Sequence, residues 1–258
     1  MYAGLAIRQH EETQIKATSF DQARESISRL SRFLETSFTL PLVVSCSPLH
    51  LLQQHNTTSA YLSHAMEKTA LIVLDLQNGV VGMLQGANVV HTSGYLKKVS
   101  DTLTAARRAG VPIIQVVTSF RENYADLSSR NRLMAPVKAG GLFKESDPST
   151  HVHPSVSQPD TDIHVRKHRV SAFHGTDLDV VLRSLGVEKL VLFGLATSGA
   201  VLSTSLQAAD LDYDIVVLKD LCADTSTDVH DTLVGKVLPK QGTVMSAEEW
   251  LAQMGGKA

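Results

Sequence analysis

Cysteine is nearly absent from these 258 residues: Cys46 and Cys222 are too few and too irregularly placed for a disulfide framework or a cysteine-rich zinc site. That scarcity favours a reducing compartment. Charge of one sign is missing as well. Lys and Arg number 24 against 26 Asp and Glu, a formal net charge of -2, so no strong field draws nucleic acid or an anionic membrane as partner. A small molecule or another protein is expected instead. No apolar run approaches the roughly 18 to 20 residues needed to span a bilayer, so a soluble chain is expected. No Gly-x-Gly-x-x-Gly follows a strand pattern and no Gly-x-x-x-x-Gly-Lys occurs, which excludes the usual phosphate-cradling loops. Internal repeats and low-complexity tracts are lacking too. Nothing in the chain calls for a cofactor.

What is present divides unevenly. Residues 1–66 are rich in Ser, Thr, Gln and His and carry one convincing element, Ser19 to Glu35. There Phe20, Ala23, Ile27, Leu30, Phe33 and Leu34 share a side and Arg24, Glu25, Arg29 and Arg32 face away, an amphipathic helix. Phe38 to Leu52 is apolar but interrupted by Pro41 and Pro48. The basic residues of the segment are matched by acids, unlike a mitochondrial presequence, and no apolar core follows a basic start as in a secretory signal. A poorly ordered extension on a cytoplasmic protein is the expectation, with secretion lacking a recognisable signal peptide left open. Met66 immediately precedes the first strong strand, so the extension can also be a dispensable arm.

From residue 67 to 258 the pattern is regular and predicts one α/β domain. Thr69 to Asp75 is a buried strand ending in a carboxylate, followed by a turn at Leu76 to Gly79; His91 to Ala109 is helical and closed by Gly110; Pro112 to Thr118 is a second buried strand. Residues 119–162 form a connection long enough to shape the rim of a site. Ile163 to Arg166 reads as a strand, Thr176 to Leu185 as a helix, Leu190 to Phe193 as a strand, and Gly194 to Gly199 as a small-residue turn opening a helix. Ser226 to Lys236 is helical, Gly242 to Met245 a last strand, and Ser246-Ala-Glu-Glu starts a final helix. Short apolar strands alternating with helices of this length predict a parallel sheet covered on both faces.

In such sheets ligands bind outside the carboxyl ends of the strands. Three features meet there: Asp75 after the first strand, Lys167 after the Ile163 strand, and the Gly194 to Ala200 turn, whose backbone N–H groups face a bound molecule. Each charged residue alone reads equally as a solvated strand end, and their convergence is what suggests a site. An aspartate and a lysine side by side can shuttle a proton.

Those residues also carry a resemblance. Ala-Leu-Ile-Val-Leu-Asp75-Leu-Gln-Asn, Val-Arg-Lys167-His-Arg-Val-Ser-Ala-Phe-His, Gly194-Leu-Ala-Thr-Ser-Gly-Ala200-Val-Leu-Ser-Thr and Asp220-Leu-Cys-Ala-Asp stand in order over the last 190 or so residues. In this the chain resembles the isochorismatase-like, or cysteine hydrolase, family. The resemblance implies a three-layer α/β/α fold on a six-stranded, mostly parallel, Rossmann-like sheet. In amidase members the motifs supply an aspartate base, a lysine and a cysteine nucleophile. Asp75 and Lys167 match the first two, but Ala200 stands where the cysteine would be and has no lone pair to attack with. Isochorismatases proper are similar in this departure, having glycine there and hydrolysing a vinyl ether without a nucleophilic side chain. The resemblance therefore implies Asp75 as general acid, Lys167 as its orienting cation, and a small residue at 200 that leaves room for substrate. It further implies a cis peptide before Ala196, with Ala196, Gly199 and Ala200 forming a backbone pocket, and Gln77 as a polar contact beside Asp75. Arg121 and Arg169 are candidates to pair substrate carboxylates, or equally to form surface salt bridges.

Other chemistry fares less well. His151, His153, His164, His168 and His174 invite a metal, but Ser119-Phe-Arg121 stands where metal-holding relatives have an Asp-x-His pattern, and no metal is expected. Ser198 has no histidine with a defined place beside it and reads as a turn residue. Cys222 reads as a small buried hydrophobe. Three functions stay in competition: isochorismate hydrolysis to pyruvate, a cysteine-less hydrolase of another small substrate, and a silent member that binds a ligand or partner protein. Family members are commonly oligomeric, which leaves a homo-oligomer open.

Overall fold

A computed structural model describes residues 68–86, 92–158 and 160–255. The chain divides into two units, Met1–Leu52 and Gln53–Ala258, and all described residues belong to the second. The expected helix at Ser19 to Glu35, Cys46 and the rest of the 1–66 extension lie outside them.

Six strands, β1 (Thr69–Leu74), β2 (Ile113–Thr118), β3 (Ile163–Lys167), β4 (Lys189–Leu195), β5 (Asp214–Ala223) and β6 (Thr243–Met245), form one sheet in the order β3-β2-β1-β4-β5-β6. Every pairing is parallel. All residues of β1 and β2 are buried, as strands covered on both faces must be, whereas edge strand β3 alternates, with Val165 and Lys167 in and His164 and Arg166 out. The helices are α1 (Asn78–Gly86), α2 (Thr92–Arg108), α3 (Ala135–Ala139), α4 (Leu178–Ser184), α5 (Leu202–Asp210), α6 (Thr227–Thr232) and α7 (Ala247–Gly255). The order of strand addition reverses between β1 and β4: β1 to β2 to β3 steps one way across the sheet, and β4 to β5 to β6 the other. Right-handed crossovers then place α2 on one face and α4 and α5 on the opposite one. With α7 packed on α2, the result is the three-layer α/β/α sandwich that the strand and helix pattern predicts. Among the described residues no helix is long and apolar enough to cross a membrane.

Two local expectations change. Leu76 to Gly79 reads as a turn, yet α1 begins at Asn78, with Val81 N–H donating to the Gln77 carbonyl at 3.0 Å. Gly79 serves close packing: a Cβ there would lie 2.5 Å from the Phe143 ring and 2.9 Å from Ser149 Cβ. The single helix expected over Ser226 to Lys236 is instead α6 followed by a wider π-helical turn at Leu233–Val237.

Gly194 decides how the two central strands meet. It pairs with Leu74 at φ +139°, and an added Cβ would sit 2.0 Å from the Leu74 carbonyl oxygen. Only glycine permits that approach, which brings the end of β4 against the end of β1 where Asp75 follows.

Candidate active site

The crevice at the β1/β4 switch collects the strand-end residues of both halves of the sheet. Asp75, at φ 55°, is 6% exposed; Lys167, the last residue of β3, is 1% exposed. The ammonium lies 2.8 Å from Asp75 Oδ2. Two strands separate in sequence but close in space thus supply a buried ion pair, and such a pair survives only when the remaining polar atoms are also satisfied.

Thr118, the last residue of β2 and the register partner of Lys167, supplies that satisfaction. Lys167 Nζ donates to Thr118 Oγ1 at 2.6 Å and to the Arg169 carbonyl at 3.3 Å, and Thr118 Oγ1 donates to Asp75 Oδ1 at 3.0 Å. A hydroxyl has one proton to give, so the acceptance from Lys167 directs that proton to Asp75. Both carboxylate oxygens are thereby engaged by the protein. Thr118 was not picked out by sequence reasoning. The signal that could have found it is a hydroxyl at the end of the strand that must lie beside β1. Thr118→Val, which keeps the shape and deletes the hydroxyl, is expected to destabilise the fold by about 1–3 kcal/mol in urea titration, because it strips a partner from each of two buried charges.

Gln77 is placed differently from expectation. Its side chain is fully buried and spent on backbone: Nε2 donates to the carbonyls of Thr118 (3.0 Å) and Ser149 (3.2 Å), while Oε1 accepts from Thr118 N–H at 2.6 Å. It clamps the β2 end that carries Thr118 and has no bond to Asp75. The reason is topological: β1 and β2 are neighbours, so Gln77, just past the end of β1, meets the end of β2.

The turn after β4 begins with a cis Leu195–Ala196 peptide and winds through a π-helical turn, Thr197–Val201, into α5. Ala200 is 3% exposed, Ala196 and Gly199 are half-buried. Ala196 O accepts from the N–H groups of Gly199 (3.1 Å) and Val201 (3.3 Å). From behind, the Asp224 carboxylate accepts the Ser198 N–H at 2.6 Å, and His230 Nδ1 pairs with Thr197 Oγ1 at 2.9 Å. The histidine nearest this turn therefore serves Thr197, and Ser198 acts through its backbone. On the other side, a Cβ at position 199 would meet the Val170 side chain at 3.9 Å, and Thr204 of α5 accepts the Ala172 N–H at 3.0 Å, tying the segment after Lys167 to the helix that the turn opens.

Burial alone would raise the Asp224 carboxyl, but the N–H groups of Ser198, Ser226 and Thr225 outweigh it and hold the group below its ordinary value. A carboxyl lowered in the folded state contributes stability that is present above the unfolded value, about pH 4, and lost as pH falls through the folded value. Asp224→Ala should therefore cost about 1–3 kcal/mol in urea titration at pH 7, and that difference from wild type should shrink at pH 3.

Arg121 is exposed, with its backbone N–H held by Asp126 at 3.2 Å. Arg169 is half-buried and its Nη1 donates to the carbonyls of Asp126 (2.8 Å) and His168 (2.5 Å), while the other donors of the guanidinium fork have no partner among the described residues. Both arginines thus border the long connection, which folds on a small core of its own: Phe120, Tyr124, Leu127, Met134 and Phe143. Cys222 lies in β5, buried, its thiol pushed up to about 12 by desolvation. Among the described residues no group of three or more His, Cys, Asp or Glu side chains is arranged to hold a metal.

Known proteins share the fold of this domain. Residues 69–249 match the isochorismatase domain. An uncharacterized isochorismatase family protein of Escherichia coli O157:H7, YecD, is 32% identical over 185 residues, covering 71% of this chain and 94% of that one. The ureidoacrylate amidohydrolase RutB of Acinetobacter baylyi is 29% identical over 175 residues, 61% of this chain and 71% of its own. Among solved structures, an isochorismatase family protein from Burkholderia thailandensis superposes with a TM-score of 0.64 at 32% identity, covering 73% of this chain and 96% of that one.

Proposed function

The chain belongs to the isochorismatase family of hydrolases, and from that premise we propose that it cleaves the vinyl ether of isochorismate, or of a similar small carboxylated enol ether, releasing pyruvate without a nucleophilic side chain. The observation that carries this reading is Ala200, buried in the turn after β4 while the Asp75–Lys167 pair stands intact at 2.8 Å. Acyl transfer by the cysteine route needs a thiolate at that place, and alanine supplies none. Cys222 offers no substitute, since a thiol pushed up to about 12 is protonated at neutral pH.

Vinyl ether hydrolysis asks for less. A proton from Asp75 adds to the methylene carbon, which becomes the methyl group of pyruvate; the ether oxygen stabilises the cation at the adjacent carbon that bears it, and water adds to that ether-bearing carbon. The proton lost by the adding water returns to Asp75. The hemiketal then collapses with a proton moving to the ring oxygen, giving pyruvate and a dihydroxy-cyclohexadiene carboxylate. Lys167 and Thr118 fix the rotamer of Asp75 through bonds to its two oxygens. Their donation also sets which state is competent: the proton that catalyses must reside on a lone pair left over from those two bonds. Arg121 and Arg169 pair the substrate carboxylates at the rim, and the Ala196 to Ala200 backbone lines the pocket, with the small side chain at 200 leaving space for the ring.

The test is to incubate the full chain with isochorismate and follow pyruvate, with ureidoacrylate and a panel of simple amides in parallel. Pyruvate formation above an Asp75→Ala control supports the proposal. Absence of pyruvate, or hydrolysis of any amide, overturns it.

A further inference from the structure

A second polar cavity lies on the reverse side of the same strand ends. Side chains alternate along β3, so while Lys167 faces Asp75, His164 and Arg166 project from the opposite side. Ser119, the residue after Thr118, reaches the same region. With Glu145, Thr150 and His151 of the long connection they line a cavity of about 280 Å³. The volume is about nine times the share of liquid that one water occupies and falls below the usual range for drug-sized ligands, so the guest it fits is small.

Its chemistry is that of an oxyanion receptor. The Arg166 side chain forms no ion pair or hydrogen bond with any described residue, so its whole guanidinium fork is available to a planar or tetrahedral oxyanion. Ser119 is 1% exposed, and its hydroxyl has no hydrogen-bond partner among the described residues. A buried hydroxyl left unpaired is costly, and a guest oxygen would pair it. His151 and His164 add ring N–H donors. Glu145 is the one acid in the lining, and it forms no ion pair with Arg166. We propose that the cavity formed by Arg166, His164, His151 and Ser119 behind the β2 and β3 ends binds a small oxyanion, a carboxylate or inorganic phosphate. The site is distinct from the crevice holding Asp75: it uses alternate residues of the same two strands and shares no side chain with it.

Isothermal titration calorimetry of the full chain tests this, with sodium phosphate in one arm and sodium malonate in the other, each at constant ionic strength held by sodium chloride. Saturable one-to-one binding of at least one probe is expected, weakened about tenfold or more by Arg166→Ala and to a lesser degree by Ser119→Ala, and tightened by Glu145→Gln, which removes the opposing charge. The arm that responds identifies phosphate or carboxylate as the preferred class. Circular dichroism of the exposed-site variant Arg166→Ala should match wild type, so loss of binding is not loss of fold. Absence of saturable heat up to about 50 mM of either probe, or binding that survives Arg166→Ala and is lost in Arg121→Ala, overturns the proposal; the latter places the anion in the crevice of Asp75.

Discussion

Asp75→Asn is expected to lower pyruvate release from isochorismate by about 10²- to 10⁴-fold, the range that a positioned general acid contributes. The asparagine is nearly isosteric and keeps a carbonyl oxygen that can accept from Lys167 Nζ or from Thr118 Oγ1, which lie 2.8 and 3.0 Å from the two carboxylate oxygens. The substitution leaves the buried Lys167 ammonium without its counter-charge, so the variant should be less stable by about 3–5 kcal/mol, and with rates normalised to the folded fraction from circular dichroism the loss of turnover should appear in kcat. The substrate contacts proposed for Arg121 and Arg169 are untouched, so KM should move by much less. Steady-state kinetics on wild type and variant separate these outcomes. A variant that turns over within about threefold of wild type removes Asp75 from the chemistry, because an acid worth so little supplies less than the low end of that range.

How far the sequence reveals this site depends on which interactions are local. Short runs such as Thr69–Leu74 and Ile113–Thr118 announce buried parallel strands because both faces must be apolar, and their ends announce where a ligand binds. Asp75 and Lys167 are legible for that reason, and the structure brings them to 2.8 Å. Thr118 is not legible alone, since a threonine closing a strand has an ordinary β-branched role; its bridging position appears only when β2 is known to lie between β1 and β3. Gln77 fails in the opposite sense. Proximity to Asp75 in sequence suggests a shared task, but at a strand end the next side chain points elsewhere, and three backbone bonds to Thr118 and Ser149 absorb it. Gly79 misleads similarly, because glycine marks both turns and close approaches, and only the positions of Phe143 and Ser149 tell which. The brace on the turn, Asp224 to Ser198 and His230 to Thr197, spans 26 and 33 residues, a separation that no local pattern encodes.

That brace and the glycine contact share a consequence for Ala200. The turn is fixed from β1 through Gly194, from Asp224 after β5 and His230 of α6, and from the segment after Lys167 through the Ala172 bond to Thr204. A residue held from three sides has its Cβ position set by the fold and not by what it reacts with. The side chain at 200 can therefore change without moving the turn that carries it.

Lys167→Met separates the two uses of the ion pair. The methionine fills nearly the same volume but leaves Asp75 buried with no cation beside it, and removing one partner of a buried pair costs about 3–5 kcal/mol. Urea titration should show that loss, and pyruvate release should fall with it. The double variant Asp75→Asn/Lys167→Met then discriminates. With both charges gone, the desolvation penalty of the lone carboxylate disappears, so stability should recover toward wild type, while turnover stays lost because no acid remains. Recovery of stability without activity is the expected result. If the double variant is instead destabilised by the sum of the single changes, the pair is not coupled as its 2.8 Å separation implies, and Lys167 holds the fold through Thr118 and the Arg169 carbonyl alone. If turnover returns in the double variant, the proton comes from elsewhere, and Asp75 serves only to keep Lys167 buried.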